Sequence, residues 1–391
     1  MSKSISASLI VLLASVFALS PFSIDTYLPA IPTIASELNV EINWVAMTVS
    51  LYVFGLAIGQ LLGGQFSDKY GRRIVMMVGL VIFALGSVAI SSAQSIQVLW
   101  ACRFIQSIGG GIAIVCVPAL IRDNAEGREA ARLFSLIALI MMIAPSIAPS
   151  VGTLILTLLN WHFIFIFLGI LGFTLAVYAF FLVPKPVLKT SQNTPKLMSY
   201  SEVLRQRTVF GYLLALAFGF SVMLIFLTNS PFVYMEYYGI SEKVFSVLFL
   251  MNVLGLIAIN RLNSYLLKKH GPAVLLVRFI QMQLCGAIIL LLSVTFFPQH
   301  MYGVVAGFII MVSANAGIMP NTNACYLQYF KQNSGKAAGL LGSMQFLTAS
   351  IVSGLVAYFT QGNLWPVAIG VVLASAIALW GACDGKKRLN V

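Results

Sequence analysis

Charged residues are scarce in this sequence, and acidic residues are the scarcest. Charged residues make up 9% of the 391 residues, hydrophobic residues make up 60%, and the mean hydropathy is +0.96. A soluble domain has too little interior to hide so much apolar surface, so the composition predicts a protein that lies in a lipid bilayer. The net charge of +12 does not indicate nucleic acid binding, because no basic run with interleaved aromatic residues stands apart from the predicted membrane edges.

The chain also lacks the residue clusters that most enzymes and metal sites need. Its five cysteines lie in apolar runs without a CxxC pair, and His162, His270 and His300 are scattered along the chain. We therefore predict no disulfide framework, no metal site and no cofactor. An integral membrane enzyme is the alternative from another class, but a polar catalytic set at one membrane face is missing. A nucleotide-binding P-loop is missing too, so an ATP-driven pump is not supported.

Apolar stretches of about 18 to 25 residues, long enough to cross a bilayer as helices, recur along the chain. The most polar stretch separates two sets of six. This pattern predicts an N-terminal six-helix bundle at 1–183, a cytoplasmic linker at 184–207 and a C-terminal six-helix bundle at 208–391. The twelve predicted spans are 7–32, 43–65, 74–93, 98–120, 132–157, 161–183, 208–232, 244–267, 273–297, 301–326, 337–360 and 363–383.

The distribution of lysine and arginine predicts the orientation in the membrane. With the N-terminus in the cytoplasm, nearly all basic residues fall on the cytoplasmic side, Lys243 lies outside, and Arg103 and Arg261 stay within spans. Both termini are therefore predicted to be cytoplasmic. The positive net charge is a topology signal.

A faint repeat relates the two halves at an offset of about two hundred residues. Such parallel six-span repeats typically hold a substrate site at their interface. The matching pairs are Pro29 with Pro231, Lys69-Tyr70-Gly71 with Lys269-His270-Gly271, and Pro118 with Pro320.

Asp25 and Arg103 are charged residues inside predicted spans, where a charge is costly unless it is paired, hydrated or neutralised. Counted from the predicted outer surface at about 1.5 Å per residue, both lie roughly 10 Å deep, so they can meet. We interpret Asp25 as a group that exchanges a proton, with Arg103 favouring the charged carboxylate when it is close. The alternative is a static ion pair, or a helix-capping Asp25 with an Arg103 that snorkels outward.

The loop between the second and third spans has the pattern G-x-x-x-D-x-x-G-R-R. Its glycines permit close helix approach and a tight turn, and its arginines mark the cytoplasmic edge. The carboxylate can accept hydrogen bonds from a helix N-terminus such as the one predicted at Ser334 and Gly335, which suggests a latch between the halves. A plain basic turn is the alternative. The latch residues are Gly64, Asp68, Gly71, Arg72 and Arg73.

The fourth and fifth spans carry motifs of small and helix-bending residues. Arg103 is followed by Gln106 and by three glycines at 109–111, which would allow intimate helix contact. The fifth span contains Pro145, Pro149 and Gly152, which bend the helix and free backbone carbonyls. A hinge or proton-tight seal is one interpretation, and a kinked packing surface is the other.

These motifs resemble those of the major facilitator superfamily over essentially the whole chain. Segment 64–73 looks like its signature loop, and Arg103-x-x-Gln106-x-x-Gly109 resembles the fourth-helix motif of proton-coupled members. Segment 144–152 is similar to the fifth-helix antiporter motif, although alanines precede the prolines and Thr153 replaces a common second glycine. The stretches 23–32 and 161–165 narrow the likeness to the bicyclomycin and chloramphenicol resistance (Bcr/CflA) branch of drug:proton antiporters.

The resemblance implies an all-α membrane protein with twelve transmembrane helices in two pseudo-symmetric six-helix bundles, the major facilitator fold. It implies proton-coupled efflux, by alternating access, of small amphipathic compounds of the chloramphenicol or bicyclomycin type across the bacterial inner membrane. The proton is the coupling ion, with roles for Asp25 and Arg103, and the protein is expected to be monomeric. Export of an endogenous metabolite or siderophore-like compound is the alternative, and a facilitator or proton symporter would share the fold.

Aromatic and amide residues on the predicted bundle faces are candidates for substrate contact. They would offer apolar area and sparse hydrogen bonds, as small-molecule sites usually do, although ordinary helix packing uses the same residues. The candidates are Tyr27, Tyr52, Phe226, Tyr234, Asn252 and Asn315.

Overall fold

Helices account for nearly all of the chain that the structure describes. The computed structural model describes residues 7–124, 133, 144, 147–184, 207–329 and 334–389, and within these ranges no strand is formed. The chain divides into two compact units, unit 1 at Met1–Thr190 and unit 2 at Ser191–Val391. Residues 185–206 of the predicted linker lie outside the described residues, so the linker stays a prediction.

Unit 1 contains helices that follow one another through short turns. A 3₁₀ turn, Leu28–Ala30, joins the first two helices, because the prolines of this segment lack the N–H that a continuous helix needs. The helices are α1 Ala7–Asp25, α2 Ile31–Glu37, α3 Ile42–Tyr70, α4 Arg72–Ile90, α5 Ile96–Ile114, α6 Cys116–Asn124, α7 Ile147–Leu158 and α8 Trp161–Leu182.

Unit 2 contains longer, mostly uninterrupted helices. Its first helix continues into a π-helical segment, Phe232–Tyr237, directly after Pro231. The helices are α9 Arg207–Pro231, α10 Glu242–Leu266, α11 Pro272–Phe296, α12 Met301–Leu327, α13 Ser334–Phe359 and α14 Trp365–Leu389.

The predicted spans agree with the helices of the structure. Within the described residues, 11 stretches are long and apolar enough to cross a membrane. The predicted span 132–157 falls partly outside the described residues, and its described end is the shorter apolar helix α7. The all-α prediction is therefore confirmed, and the first span is more broken than predicted, since α1 ends at Asp25 and α2 completes the crossing.

A row of glycines brings α3 and α5 into backbone contact. A Cβ atom at Gly59 would overlap the Ile108 carbonyl oxygen, and one at Gly111 would overlap the Leu56 carbonyl oxygen. Small residues at such a seam allow the close approach that drives helix packing in lipid. At Gly64 no atom lies within 4 Å of the position for a Cβ in the described part of the chain, so its predicted latch role stays a prediction. Gly64 is one residue past the seam glycine Gly63, and one residue turns a helix by about 100°.

The seam gives a test of packing with a control on the same helix. We expect Gly59→Ala to lower the free energy of unfolding by about 1 to 3 kcal/mol, because the added methyl meets backbone that cannot move aside. Gly64→Ala should leave stability unchanged or raise it by up to about 1 kcal/mol, through helix propensity alone. Unfolding of the purified variants in detergent measures both, and equal losses in the two variants would contradict the seam.

Candidate functional site

Arg103 is fully buried in unit 1, where α5 carries it among the polar side chains of neighbouring helices. Its exposed fraction is 0%. The Nη1 atom donates to Gln106 Oε1 at 2.8 Å and to Ser23 Oγ at 3.3 Å. Gln106 in turn donates from Nε2 to Ser87 Oγ at 2.7 Å, which links α5 to α4. The Nε and Nη2 atoms of Arg103 have no hydrogen-bond partner among the described residues.

Three aromatic rings surround the guanidinium of Arg103. Its central carbon lies 4.2 Å from the ring centroid of Tyr27, 5.0 Å from that of Tyr52 and 5.1 Å from that of Phe165. Desolvated cation–π contacts of this kind are each worth up to about 2 kcal/mol. The rings therefore replace part of the hydration that the buried charge has lost. We call Tyr27, Tyr52 and Phe165 the aromatic cage.

The hydroxyl of Tyr27 is engaged, whereas that of Tyr52 is not. Tyr27 donates to the Val45 carbonyl at 2.9 Å and makes a short hydrogen bond with Thr48, so α3 fixes the position of the ring. Both tyrosines have an exposed fraction of 0%, and the Tyr52 hydroxyl has no partner among the described residues. Their predicted role in substrate contact would require them to become accessible, and it stays a prediction.

Asp25 is buried at the end of α1, with an exposed fraction of 4%. Its expected meeting with Arg103 is not made in this structure, since within the described residues neither side chain forms an ion pair. The guanidinium contacts Ser23, two residues away, instead. Asp25 and Arg103 are therefore both buried in unit 1 and are held apart.

The fifth span approaches the end of α1 very closely at Gly152. A Cβ atom there would overlap the carbonyl oxygen of Thr26, the residue after Asp25. The glycine of the predicted antiporter motif therefore sets the distance between α7 and the carboxyl-bearing turn. Pro149 lies on the same helix, and Pro145 lies outside the described residues.

The predicted latch segment forms the sharp turn between α3 and α4. Gly71 adopts a φ of +89°, which favours glycine. Arg72 hydrogen-bonds to Ser67 and lies 3.4 Å from Asp123 at the end of α6, while Arg73 stacks over the Phe180 ring at 4.6 Å. The Asp68 side chain lies outside the described residues, so the latch between the halves stays a prediction.

Two of the predicted substrate contacts of unit 2 lie in a buried aromatic cluster, and the other two are buried asparagines. Phe226 and Tyr234 both contact Phe308, with centroid distances of 5.1 and 5.8 Å. Asn252 and Asn315 donate to carbonyls of their own helices, at 3.0 and 3.4 Å. The Tyr234 hydroxyl and the Asn252 Oδ1 atom have no partner among the described residues, so both could serve a polar ligand group.

The sequence as a whole matches a known family. The family model described as Major Facilitator Superfamily matches residues 13–353. The chain belongs to the major facilitator superfamily.

The curated proteins that are similar to this chain include two whose names mention drug resistance. It is 30% identical to the bicyclomycin resistance protein homolog of Haemophilus influenzae, over 89% of this chain and 88% of that protein. It is 27% identical to the multidrug resistance protein MdtL of an Escherichia coli strain, over 92% and 90%. It is also 33% identical to the uncharacterized MFS-type transporter YdgK of Bacillus subtilis, over 88% and 87%.

Solved structures share the fold at low sequence identity. A D-xylose-proton symporter superposes with a TM-score of 0.73 at 17% identity, covering 95% of this chain and 96% of that one. A bacterial homolog of the human lysosomal transporter Spinster gives 0.73 at 13% identity, with 99% of each chain covered. The family match and the curated relatives make this chain a multi-pass membrane transporter of small molecules, and not an enzyme, while the solved structures show the major facilitator fold.

Several residues of this transporter's site were not singled out from the sequence. Ser87 was missed because a lone serine in an apolar span usually bonds to its own helix, as Ser87 also does to Phe83. Phe165 appeared only as part of a family motif. Its spacing of four residues from Trp161 would have placed both on one face of α8.

The bond from Gln106 to Arg103 can be tested by its effect on stability. We expect Gln106→Leu to lower the free energy of unfolding by about 2 to 3 kcal/mol, because it removes the acceptor of a buried cation. Gln283→Leu is the control: that glutamine is also fully buried but donates only to the Gly219 carbonyl, at 3.0 Å. Its loss should be about 1 kcal/mol. Equal losses, measured by thermal unfolding, would contradict a special role for Gln106.

Proposed function

We propose that this transporter exports small amphipathic compounds in exchange for protons, by alternating access in the bacterial inner membrane. Asp25 carries the proton, and Arg103 is the group that competes with the proton for the carboxylate. The observation that carries this proposal is the burial of both side chains in unit 1 without an ion pair between them. Ionisable residues kept inside a membrane protein at such cost usually serve transport.

The unpaired donors of Arg103 provide a physical basis for proton exchange. When Asp25 loses its proton, the new carboxylate needs a hydrogen-bonded cation, and Arg103 Nε and Nη2 have no partner in the present arrangement of the described residues. A movement of the turn after α1 would bring the two groups together and stabilise the charged form. Protonation would release Arg103 again, so the proton selects between two arrangements of unit 1.

The substrate proposal combines the names of the relatives with the chemistry of the buried residues. The similar proteins are named for resistance to bicyclomycin and to multiple drugs. Tyr27 and Tyr52 in unit 1, with Phe226, Tyr234, Asn252 and Asn315 in unit 2, supply rings and amides suited to compounds with few polar groups. We therefore propose amphenicol or bicyclomycin-type antibiotics as first candidates. An endogenous metabolite or siderophore-like compound would use the same residues.

Asp25→Asn tests the coupling directly. In proteoliposomes with an imposed pH gradient, the wild type should move chloramphenicol or bicyclomycin against its concentration gradient. The transport rate of Asp25→Asn should be at least about tenfold lower than that of the wild type, because an amide cannot exchange a proton at these pH values. The variant should retain ligand binding. Glu41→Gln is the control, since Glu41 is exposed just before α3 and should transport normally.

Other outcomes separate the alternatives. Normal gradient-driven transport by Asp25→Asn would refute the coupling role of Asp25. If substrate moves only down its own gradient, at equal rates in the wild type and in Asp25→Asn, the protein is a facilitator. If substrate moves in the same direction as the proton, the protein is a symporter. If neither antibiotic moves but a siderophore-like compound does, the mechanism stands and the proposed substrate class is wrong.

A further inference from the structure

A second cluster of polar residues lies at the start of α8, next to the aromatic cage. Trp161 begins α8, and its Nε1 atom donates to Glu37 Oε2 at 2.7 Å, although α2 and α8 are far apart in sequence. His162 Nε2 lies 3.5 Å from the other carboxylate oxygen, Glu37 Oε1. The His162 ring also stacks on the Trp161 ring, with centroids 3.8 Å apart. One carboxylate thus holds both of the first two residues of α8.

Asn160 fixes the imidazole from the other side. Its Oδ1 atom accepts from the backbone N–H of His162 at 3.1 Å, which caps α8, and it lies 3.2 Å from the His162 Nδ1 atom. Both ring nitrogens therefore face an oxygen acceptor. An imidazolium can donate to both at once, whereas a neutral imidazole carries only one N–H.

This cluster is connected to Arg103 through ring contacts. Trp161 packs edge-on against Phe165 at a centroid distance of 6.1 Å. Phe165 contacts the Tyr27 ring at 5.7 Å and the Arg103 guanidinium at 5.1 Å. Trp161 is fully buried, so a change in its position must be passed to Phe165, because packed interiors leave no free space to absorb it.

Few other charges surround His162. The described parts of unit 1 at 8–62, 74–121 and 147–184 contain few acidic or basic side chains. They are Asp25, Glu37, Glu41, Arg103 and His162. The acidic group in contact with His162 is Glu37, and Glu41 is exposed at the start of α3. Histidine is the side chain that ordinarily changes charge between about pH 5 and pH 8. About 30% of the His162 side chain is exposed, so protons from water can reach it.

We propose that Glu37, Trp161 and His162 form a pH-responsive clamp that positions the aromatic cage around Arg103. In acid, His162 carries a charge, pairs with Glu37 and donates to Asn160, which holds α2 against α8. Trp161 then keeps Phe165 pressed against Tyr27 and the guanidinium. At alkaline pH the ion pair is lost, which leaves the hydrogen bond from Trp161 to Glu37 and the single N–H of the neutral imidazole. These are positioning residues, since none of them touches Arg103 or Asp25.

The clamp gives the transporter a response to acid that is separate from the charge of Asp25. The distribution of lysine and arginine predicts that the end of unit 1 that carries the clamp faces the outside, so the clamp would respond to external acid. Its link to transport rests on the proposed function, but its existence does not. The test therefore needs one measurement on the protein alone and one on transport.

The first measurement is tryptophan fluorescence of the purified protein between about pH 5 and pH 8. A protonated imidazole stacked on an indole quenches its emission, so the wild type should lose emission in acid. His162→Gln should abolish this component, since the amide stays neutral. Glu37→Gln should weaken it, since the new amide oxygen can still accept from Trp161 but cannot pair with the imidazolium. An unchanged pH response in His162→Gln would overturn the clamp whatever the protein transports.

The second measurement is exchange of radiolabelled chloramphenicol across liposomes held at equal pH on both sides, which removes the driving force. His162→Arg supplies a permanent cation that can stack on Trp161 and pair with Glu37. We expect the exchange rate of the wild type to match that of His162→Arg at about pH 5 and that of His162→Gln at about pH 8. The exchange rates of the two variants should differ severalfold at each pH. Three equal rates at both pH values would overturn the positioning role.

The two proposals fail in distinguishable ways. If no chloramphenicol moves, the proposed function is in question, and the fluorescence titration still decides whether the clamp exists. In that case, fluorescence quenching by acrylamide replaces exchange as the readout of position. Trp161 should become more accessible in His162→Gln than in His162→Arg, and equal accessibility in the two variants would overturn the clamp.

Discussion

A guanidinium buried without a carboxylate partner among the described residues is the constraint on which the arrangement of unit 1 depends. Removing such a cation from water costs several kcal/mol, and the protein must offset this with other contacts. It does so with two oxygen acceptors and three aromatic rings, drawn from α1, α3, α5 and α8 and from the turn after α1. None of these partners is permanently charged. Arg103 is therefore held firmly and still leaves two donors available for a carboxylate that appears only when Asp25 ionises.

Such weak, uncharged partners work only if the helices that carry them are held rigidly. The glycine seam between α3 and α5 fixes Tyr52 and Arg103 relative to each other, because backbone contacts cannot adjust as long side chains do. At the turn after α1, Gly152 leaves no room for a methyl group beside Thr26. The backbone beside Asp25 therefore packs tightly against α7. Under the proposed function, this close packing favours two discrete positions of the turn over a continuous range.

The sequence predicted the spans and the two buried charges well, because both follow from the energetics of lipid. A helix needs about twenty apolar residues to cross the bilayer, and a charge inside one is conspicuous for its cost. The polar contacts between helices around Arg103 and at the start of α8 could not be predicted in the same way. Ser87 accepts from Gln106 on the following helix, and Glu37 accepts from Trp161, 124 residues away, and no local pattern reports such contacts. The break at Asp25 was missed because hydropathy continues across it into α2.

The predicted repeat relates positions of the two units that carry different side chains. The offset of 202 residues that joins Pro29 to Pro231 and Pro118 to Pro320 also joins Gln106 to Phe308. Gln106 holds the Arg103 guanidinium, whereas Phe308 joins the rings of Phe226 and Tyr234. The same helix position thus supports a buried charge in unit 1 and an apolar cluster in unit 2. Under the proposed function, proton exchange belongs to unit 1, and unit 2 supplies apolar contact that does not change with pH. Substrates could then differ among relatives through changes in unit 2 without disturbing the coupling.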